Sequence, residues 1–446
     1  MSQRLQAWMR RNRIRKLGIA GFAALFSLPM VSPFGKVGLA GANAACDRQL
    51  ITSKVDFGTD SQATSGAVQE NGEILIAGTA DGHIALSRTS SNGTPDRSFG
   101  TRGSGTLSTD LGVESSAASV AVQSNGTTII AGYIKNLEGA TDFALARYDS
   151  RGRLDPTFGN NGKVTTDFNY GYDQANSIAV QPDGRIVAAG YSSWNDHTTF
   201  ALARYDSRGR LDPTFGNNGK VTTDFEGLDA GANQMVIHPD GHITIAGYIK
   251  NLEGATDFAL ARYDSRGRLD PTFGNNGKVT TDFNYGYDQA NSIAVQPDGR
   301  IVAAGYSSWN DHTTFALARY DSRGRLDPTF GNNGKVTTDL GGDYNQANGV
   351  AVQSDGRIVA AGYSSWNDHA TFMIARYRVN GQLDKGFGVN GKSAVEFEGA
   401  RQYGRGVIAT PNGGFVAVGY ADGATYSSFT LVRTPICHGR VSAKGD

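Results

Sequence analysis

The sequence predicts an all-β fold made of one four-stranded unit copied many times, and three observations carry that reading. Seven short hairpins end in Ala-Gly, or in Val-Gly for the last. Their glycines (Gly78, Gly132, Gly190, Gly247, Gly305, Gly362 and Gly419) stand 54, 58, 57, 58, 57 and 57 residues apart. So regular a period marks a repeat architecture, which runs long as a single domain. Glycine is abundant, 59 of 446 residues against 12 prolines, without a collagen-like triplet, so the glycines punctuate turns and close strand contacts. Helix signals are scarce after residue 45.

The first 44 residues stand apart. They hold seven basic residues (Arg4, Arg10, Arg11, Arg13, Arg15, Lys16 and Lys36) and no acidic one, then an apolar stretch from Leu17 to Val31 and a small-x-small site at Ala42-Asn43-Ala44. This pattern reads as a secretory signal peptide over 1–44. The apolar run falls short of the roughly 20 residues that span a bilayer, which argues against an anchor. Removal of this segment leaves 35 basic against 42 acidic residues, a net charge near −7. A mildly acidic exported chain has no electrostatic footprint for nucleic acid, and no transmembrane segment is expected after signal removal.

The third copy shows the unit. Ser177–Gln181 is a short apolar strand, Pro182-Asp-Gly184 a tight turn, and Arg185–Tyr191 the returning strand. Ser192–Thr199 reads as a longer loop before Phe200–Tyr205. A second tight turn, Asp206–Gly209, leads into Leu211-Asp-Pro-Thr-Phe-Gly216, and Lys220–Phe225 closes the unit. Each strand is rich in β-branched or aromatic residues and bounded by Gly, Asp, Asn or Pro. Alternation in Phe200–Tyr205 sets Phe, Leu and Arg against Ala, Ala and Tyr, a bulky and a small face suited to stacking like sheets. Phe99, Phe158, Phe215, Phe273, Phe330 and Phe387 recur beside glycines and read as core between sheets.

Seven such units fit a single seven-bladed β-propeller over 46–437, with four-stranded antiparallel blades. The last unit stops after Phe429–Arg433 and lacks its outer strand, whereas Lys54-Val-Asp-Phe57 matches Lys163-Val-Thr-Thr-Asp-Phe168. The N-terminal strand is therefore expected to complete the last blade, a velcro closure. Antiparallel pairing would then bring Cys46 and Cys437 to one edge, and a disulfide between them is expected in an exported chain. Acylation of Cys46 is the alternative, although Asn43 stands where such a site favours an apolar residue. Residues 438–446 read as a flexible tail.

Gln-Pro-Asp-Gly-Arg-Ile-Val-Ala-Ala-Gly (181–190), Phe-Ala-Leu-Ala-Arg-Tyr (200–205) and Leu-Asp-Pro-Thr-Phe-Gly (211–216) resemble the delta-60 repeat, a bacterial β-propeller family, and the unit is similar to NHL-type blades in its order of strands and turns. The resemblance covers essentially all of the chain after the signal. It implies a secreted or cell-surface propeller and brings no common activity with it.

The long polar and aromatic segments fall on one face of such a ring. Tyr170 and Tyr172, with their copies Tyr285 and Tyr287, and Tyr344 lie in one set. Trp194 and His197, Trp309 and His312, and Trp366 and His369 lie in the other. Aromatic faces stack on sugar rings or apolar groups, so these eleven residues are the candidate ligand-binding set, with loop-on-loop packing as the alternative. Asn176, Asn233, Asn291, Asn348 and Arg405 recur at the start of the innermost strand, with Ser65 and Ser119 at the equivalent places in the first two units, and are expected to ring the pore. No cofactor, no metal site and no catalytic residue is expected: nucleophile-elbow, zinc-protease and phosphate-loop motifs are missing. Residues 130–224 recur unchanged at 245–339. Identical copies suit repeated binding better than unique chemistry, which needs differentiated partners. The expectation is a secreted, monomeric, non-enzymatic binding or scaffold module for a carbohydrate or protein. An extracellular hydrolase or lyase working at the pore, or a structural cell-envelope module, are the alternatives.

Overall fold

A computed structural model describes residues 50–435, apart from 112, 169, 170, 285 and 400. The signal segment, Cys46, Cys437, the C-terminal tail, Tyr170 and Tyr285 lie outside the described residues. Among those described, the chain is all-β: 28 strands and a single 3₁₀ turn at Thr101–Gly103. The strands form four-stranded antiparallel sheets, propeller-like blades in which sequence neighbours pair as a meander. Two of these sheets are linked through one parallel bridge, Thr256 to Tyr287.

In the third repeat the strands are Tyr172–Val180, Ile186–Trp194, His197–Tyr205 and Lys220–Thr223. Two features differ from the sequence expectation. Ser192–Thr199 is not a loop: the strands run on until Trp194 pairs with His197. The turn is only Asn195-Asp196, both with positive φ (50° and 62°), the pair of left-handed residues that a tight hairpin needs. The inner strand begins at Tyr172 rather than Ser177, and a β-bulge between Ala175 and Ser177 leaves Asn176 unpaired in the ladder.

That bulge explains the glycine that marks each repeat. Gly190 pairs with Ala175 beside the bulge, and a Cβ there would lie 1.8 Å from the carbonyl oxygen of Gln174. A Cβ on any of the seven marker glycines would lie 1.8–2.0 Å from the carbonyl oxygen of the equivalent inner-strand residue. Only a residue without a side chain admits that approach.

Phe200–Tyr205 is buried on both faces, because each sheet is packed on both sides. Each hydrophobic cluster joins neighbouring sheets: one unites Leu145 and Phe158 with Ile178, Ala188 and Tyr205 of the next repeat. Phe99, Phe158, Phe215, Phe273, Phe330 and Phe387 are all essentially fully buried, each stabilising the stack by roughly 1.5–3 kcal/mol through area removed from water.

Polar staples lock the same interfaces. Arg204 donates from Nε to Asp212 Oδ2 (2.9 Å) and from Nη2 to Thr214 Oγ1 (3.1 Å), lies over the Phe215 ring at 4.5 Å, and donates from Nη1 to the Ser265 carbonyl in the next repeat. Tyr205 reaches the other way and shares a 2.8 Å hydrogen bond with Thr166 of the preceding repeat. Lys220 donates to the carbonyl of Asp167, also in that repeat, at 2.7 Å. A buried guanidinium is tolerated because its donors are satisfied by a carboxylate, a hydroxyl and a carbonyl.

The ends of the described chain meet. Ile51–Val55 pairs antiparallel with Ser427–Arg433, Ile51 opposite Arg433 and Val55 opposite Phe429. One cluster unites Ala63, Ile74, Ile76 and Ala85 from the first repeat with Val416, Val418, Phe429 and Leu431 from the last. Arg433, the counterpart of Arg204, donates to the Asn92 carbonyl in the first repeat at 3.3 Å.

Candidate functional site

The bulge positions build the inner wall. Asn176 donates from Nδ2 to the Ala232 carbonyl of the next repeat at 2.8 Å, and Asn233, Asn291 and Asn348 do the same to Ala290, Ala347 and Gly404 at 2.8–2.9 Å. The amides therefore tie inner strand to inner strand. Together with Arg405 they line a central cavity of about 470 Å³. Ser65 and Ser119 line it too, but they are not the equivalents of the asparagines. The bulges fall between Ala63 and Ser65 and between Ala117 and Ser119, so Thr64 and Ala118 hold those places. Thr64 makes the matching bond, Oγ1 to the Ala117 carbonyl at 2.7 Å. Ser119 instead accepts the Ile178 N–H at 3.2 Å.

A tyrosine follows six of the marker glycines: Tyr133, Tyr191, Tyr248, Tyr306, Tyr363 and Tyr420. This set was not singled out from the sequence, although its period was in plain view beside the glycines. Tyr191, Tyr306 and Tyr363 donate to Gln174, Gln289 and Gln346 at 2.9–3.2 Å. Burial pushes the phenols of Tyr191, Tyr248, Tyr306 and Tyr363 above their ordinary value, so they stay neutral hydrogen-bonding groups through the physiological range.

The last repeat breaks the symmetry. Arg405 stands where the four preceding repeats carry an asparagine. Its guanidinium lies 5.8 Å from the Tyr403 ring centre and 5.4 Å from that of Tyr420, and donates to the Tyr420 hydroxyl at 3.3 Å. Tyr403 also contacts Tyr363 at 5.0 Å between ring centres. The result is a single cation, caged by aromatics and wet on one side, suited to a carboxylate or sulfate on a ligand.

The candidate aromatic set lies elsewhere. Trp194, Trp309 and Trp366 sit at hairpin tips and are 46%, 51% and 60% exposed, while Tyr172, Tyr287 and Tyr344 open their inner strands at 53–58%. None of these six lines the central cavity. Each tip tyrosine pairs in register with a serine one residue before the tryptophan, as Tyr172 does with Ser193. The histidines do not share this exposure equally. His197 lies 3.5 Å from both Asp224 and Asp229, and His312 lies 3.7 Å from Asp339, whereas His369 is exposed. The structure thus sets a tyrosine and a tryptophan at one end of each of three separate sheets, on opposite faces because the tyrosine pairs with the serine before the tryptophan, and holds two of the histidines against carboxylates.

Six segments of the chain, 69–99, 123–158, 181–215, 238–273, 296–330 and 353–387, match the family model described as "Domain of unknown function (DUF5122) beta-propeller". These matches place the chain among propeller repeat proteins. No curated protein matches it in sequence. Among solved structures, it is similar to the selenomethionine-substituted virginiamycin B lyase from Staphylococcus aureus, with a TM-score of 0.52 and 9% identity over 86% of this chain and 98% of that one. An ulvan lyase from a polysaccharide lyase family matches with a TM-score of 0.48 and 10% identity over 85% of this chain and 95% of that one. At such identities the likeness concerns the fold. Among the described residues no helix is long and apolar enough to cross a membrane.

Proposed function

We propose that this chain, a propeller by its repeats, is a secreted, non-enzymatic binding module whose ring has seven blades closed by the N-terminal strand. Its ligand is a carbohydrate or a protein surface, taken by the hairpin-tip face. The observation that carries the reading is the threefold presentation of a half-exposed tryptophan on a two-residue hairpin, with an exposed tyrosine on the neighbouring strand. Rigid aromatics lose little conformational freedom on binding and offer flat apolar area to a sugar ring or an apolar side chain. Three equivalent sites on one ring favour a repetitive ligand, because linked weak contacts gain avidity.

The test is a glycan and protein array probed with the purified exported chain and with a triple Trp194→Ala, Trp309→Ala, Trp366→Ala variant. Binding is expected to weaken more than tenfold in the variant while its thermal midpoint stays put. Equal binding by both proteins, or no binding by either, overturns the reading.

A second reading, an extracellular hydrolase or lyase working at the central cavity, is favoured by Arg405 and its tyrosine cage alone. These are the differentiated groups that a unique chemistry requires. A screen of anionic polysaccharide substrates, with Arg405→Ala as control, separates it from the first: turnover lost in the control supports the enzyme.

A further inference from the structure

Two places in the molecule gather three carboxylates each. Asp142 comes from the third strand of one repeat, Asp167 follows its outer strand, and Asp173 lies on the inner strand of the next repeat. Asp257, Asp282 and Asp288 repeat the arrangement two sheets on. In each trio one carboxylate oxygen from every residue lies within 4.8 Å of the others. Asp173 and Asp288 are wholly buried. One oxygen of each takes a backbone N–H, from Phe168 at 2.7 Å and from Phe283 at 2.6 Å, while the other, Oδ1, is buried and accepts no hydrogen bond.

We propose that each trio binds one calcium ion at the junction between successive sheets. Ser192 and Ser307 also hydrogen-bond these carboxylates, yet a buried acid with one oxygen left unbonded is costly, and two more acids beside it raise the cost. The charges that act on Asp173 are those of Asp167 and Asp142, both negative. A divalent cation removes this repulsion and occupies the orphaned oxygen. The donors are all hard oxygens, and an ion with Ca–O lengths of about 2.3–2.6 Å reaches oxygens on its opposite sides up to roughly 5 Å apart. Water completes the shell, since Asp142 and Asp167 are only partly buried.

The chain supplies its own comparison. The middle acid persists at the other junctions, but the flanking pair changes together. Thr199 and Ala230, Thr314 and Asn345, and Thr371 and Gln402 hold the places of Asp142 and Asp173. A buried acid occurs only where the third-strand acid also occurs. Where it is missing, Asn345 donates from Nδ2 to the Thr313 and Gly342 carbonyls while its Oδ1 stays buried without a partner, and Gln402 accepts the Phe397 N–H that corresponds to the bond on Asp173. The fold accepts Ala230, Asn345 or Gln402 at that place; it does not need a carboxylate.

Calorimetric titration of calcium chloride into the chelator-stripped exported chain should show two ions per chain and raise its thermal midpoint. Asp142→Asn should leave one ion, and Asp142→Asn with Asp257→Asn none, with an unchanged circular dichroism spectrum. Asp173→Asn with Asp288→Asn provides a second variant that the fold accepts at Asn345, and it too should bind none. Absence of heat and of a midpoint shift at about 5 mM calcium, above the range of weak extracellular sites, overturns the proposal. So does undiminished binding by the variants, or binding of magnesium alone, and a trio that holds a proton instead of an ion gives the first of these results.

Discussion

Burial of Arg88, Arg147, Arg204, Arg319, Arg376 and Arg433 sets the energetics at the residue scale. Arg204 and Arg319 are 3% and 2% exposed, and their carboxylates 7% and 6%, so each pair is removed from solvent screening. Loss of one partner strands the other, a cost of about 3–5 kcal/mol. Arg204→Met should therefore lower stability by about that much in denaturant unfolding, although the substitution keeps most of the apolar contact with Phe215; a loss below about 1 kcal/mol would remove the staple from the account. The same carboxylates govern the acid limb. Burial alone would raise Asp155, Asp212, Asp270 and Asp327, but threonine hydroxyls, backbone N–H groups and the guanidinium charges hold them below the ordinary 3.8. A depressed carboxylate stabilises the fold above its unfolded value and loses that contribution as pH falls through the lower folded value. The thermal midpoint should accordingly drop as pH is taken below 3.8, and Asp212→Asn should flatten that drop.

Elements are joined through the bulge and the marker glycine. Gly190→Ala drives a methyl into the Gln174 carbonyl, and since backbone rather than a flexible side chain must yield, a loss of about 1–3 kcal/mol is expected in thermal or denaturant unfolding. An unchanged midpoint would show that the bulge can relax. The glycines, the apolar strands and the phenylalanine series were legible in the sequence because they recur with the repeat period. The bulge was not, because it changes the pairing by one residue without changing composition. That single residue is why Ser65 and Ser119 were aligned with asparagines whose true counterparts are Thr64 and Ala118. The Trp-Asn-Asp-His tip was read as loop for a related reason: Asn-Asp takes the left-handed turn that Asn-Gly signals more openly. The acidic trios were hidden because their members are spread over three strands of two repeats, at spacings of 25 and 6 residues that match no metal-ligand motif.

For the whole molecule the decisive feature is how the first strand completes the last sheet. Val55 is 3% exposed in the cluster that joins first and last repeats, and Lys54 donates to the Glu398 carbonyl at 2.8 Å, as Lys220 does to Asp167. The edge that Ile51–Val55 covers would otherwise offer unpaired backbone groups to another chain. Val55→Asp buries an unpaired charge at this seam, so it should release the first strand from the last sheet selectively: early proteolysis near both ends and self-association, with the middle repeats still protected from hydrogen exchange. A uniform loss of protection would mean that the seam is not a separate unit. We propose that the Cys46–Cys437 disulfide expected from the sequence would belong to the same seam: Ile51 faces Arg433, and in sequence the two cysteines lie five residues before and four after that pair. A bond there would close a loop of nearly the whole domain, for which the chain-entropy model gives about 5 kcal/mol at most. The exported protein should then have an intact mass two protons below the dithiol form. Cys46→Ser with Cys437→Ser should lower the midpoint and increase the effect of Val55→Asp, because both changes release the same strand. Two free thiols, or a lipid adduct on Cys46, would leave the closing strand held by its hydrogen bonds and apolar contacts alone.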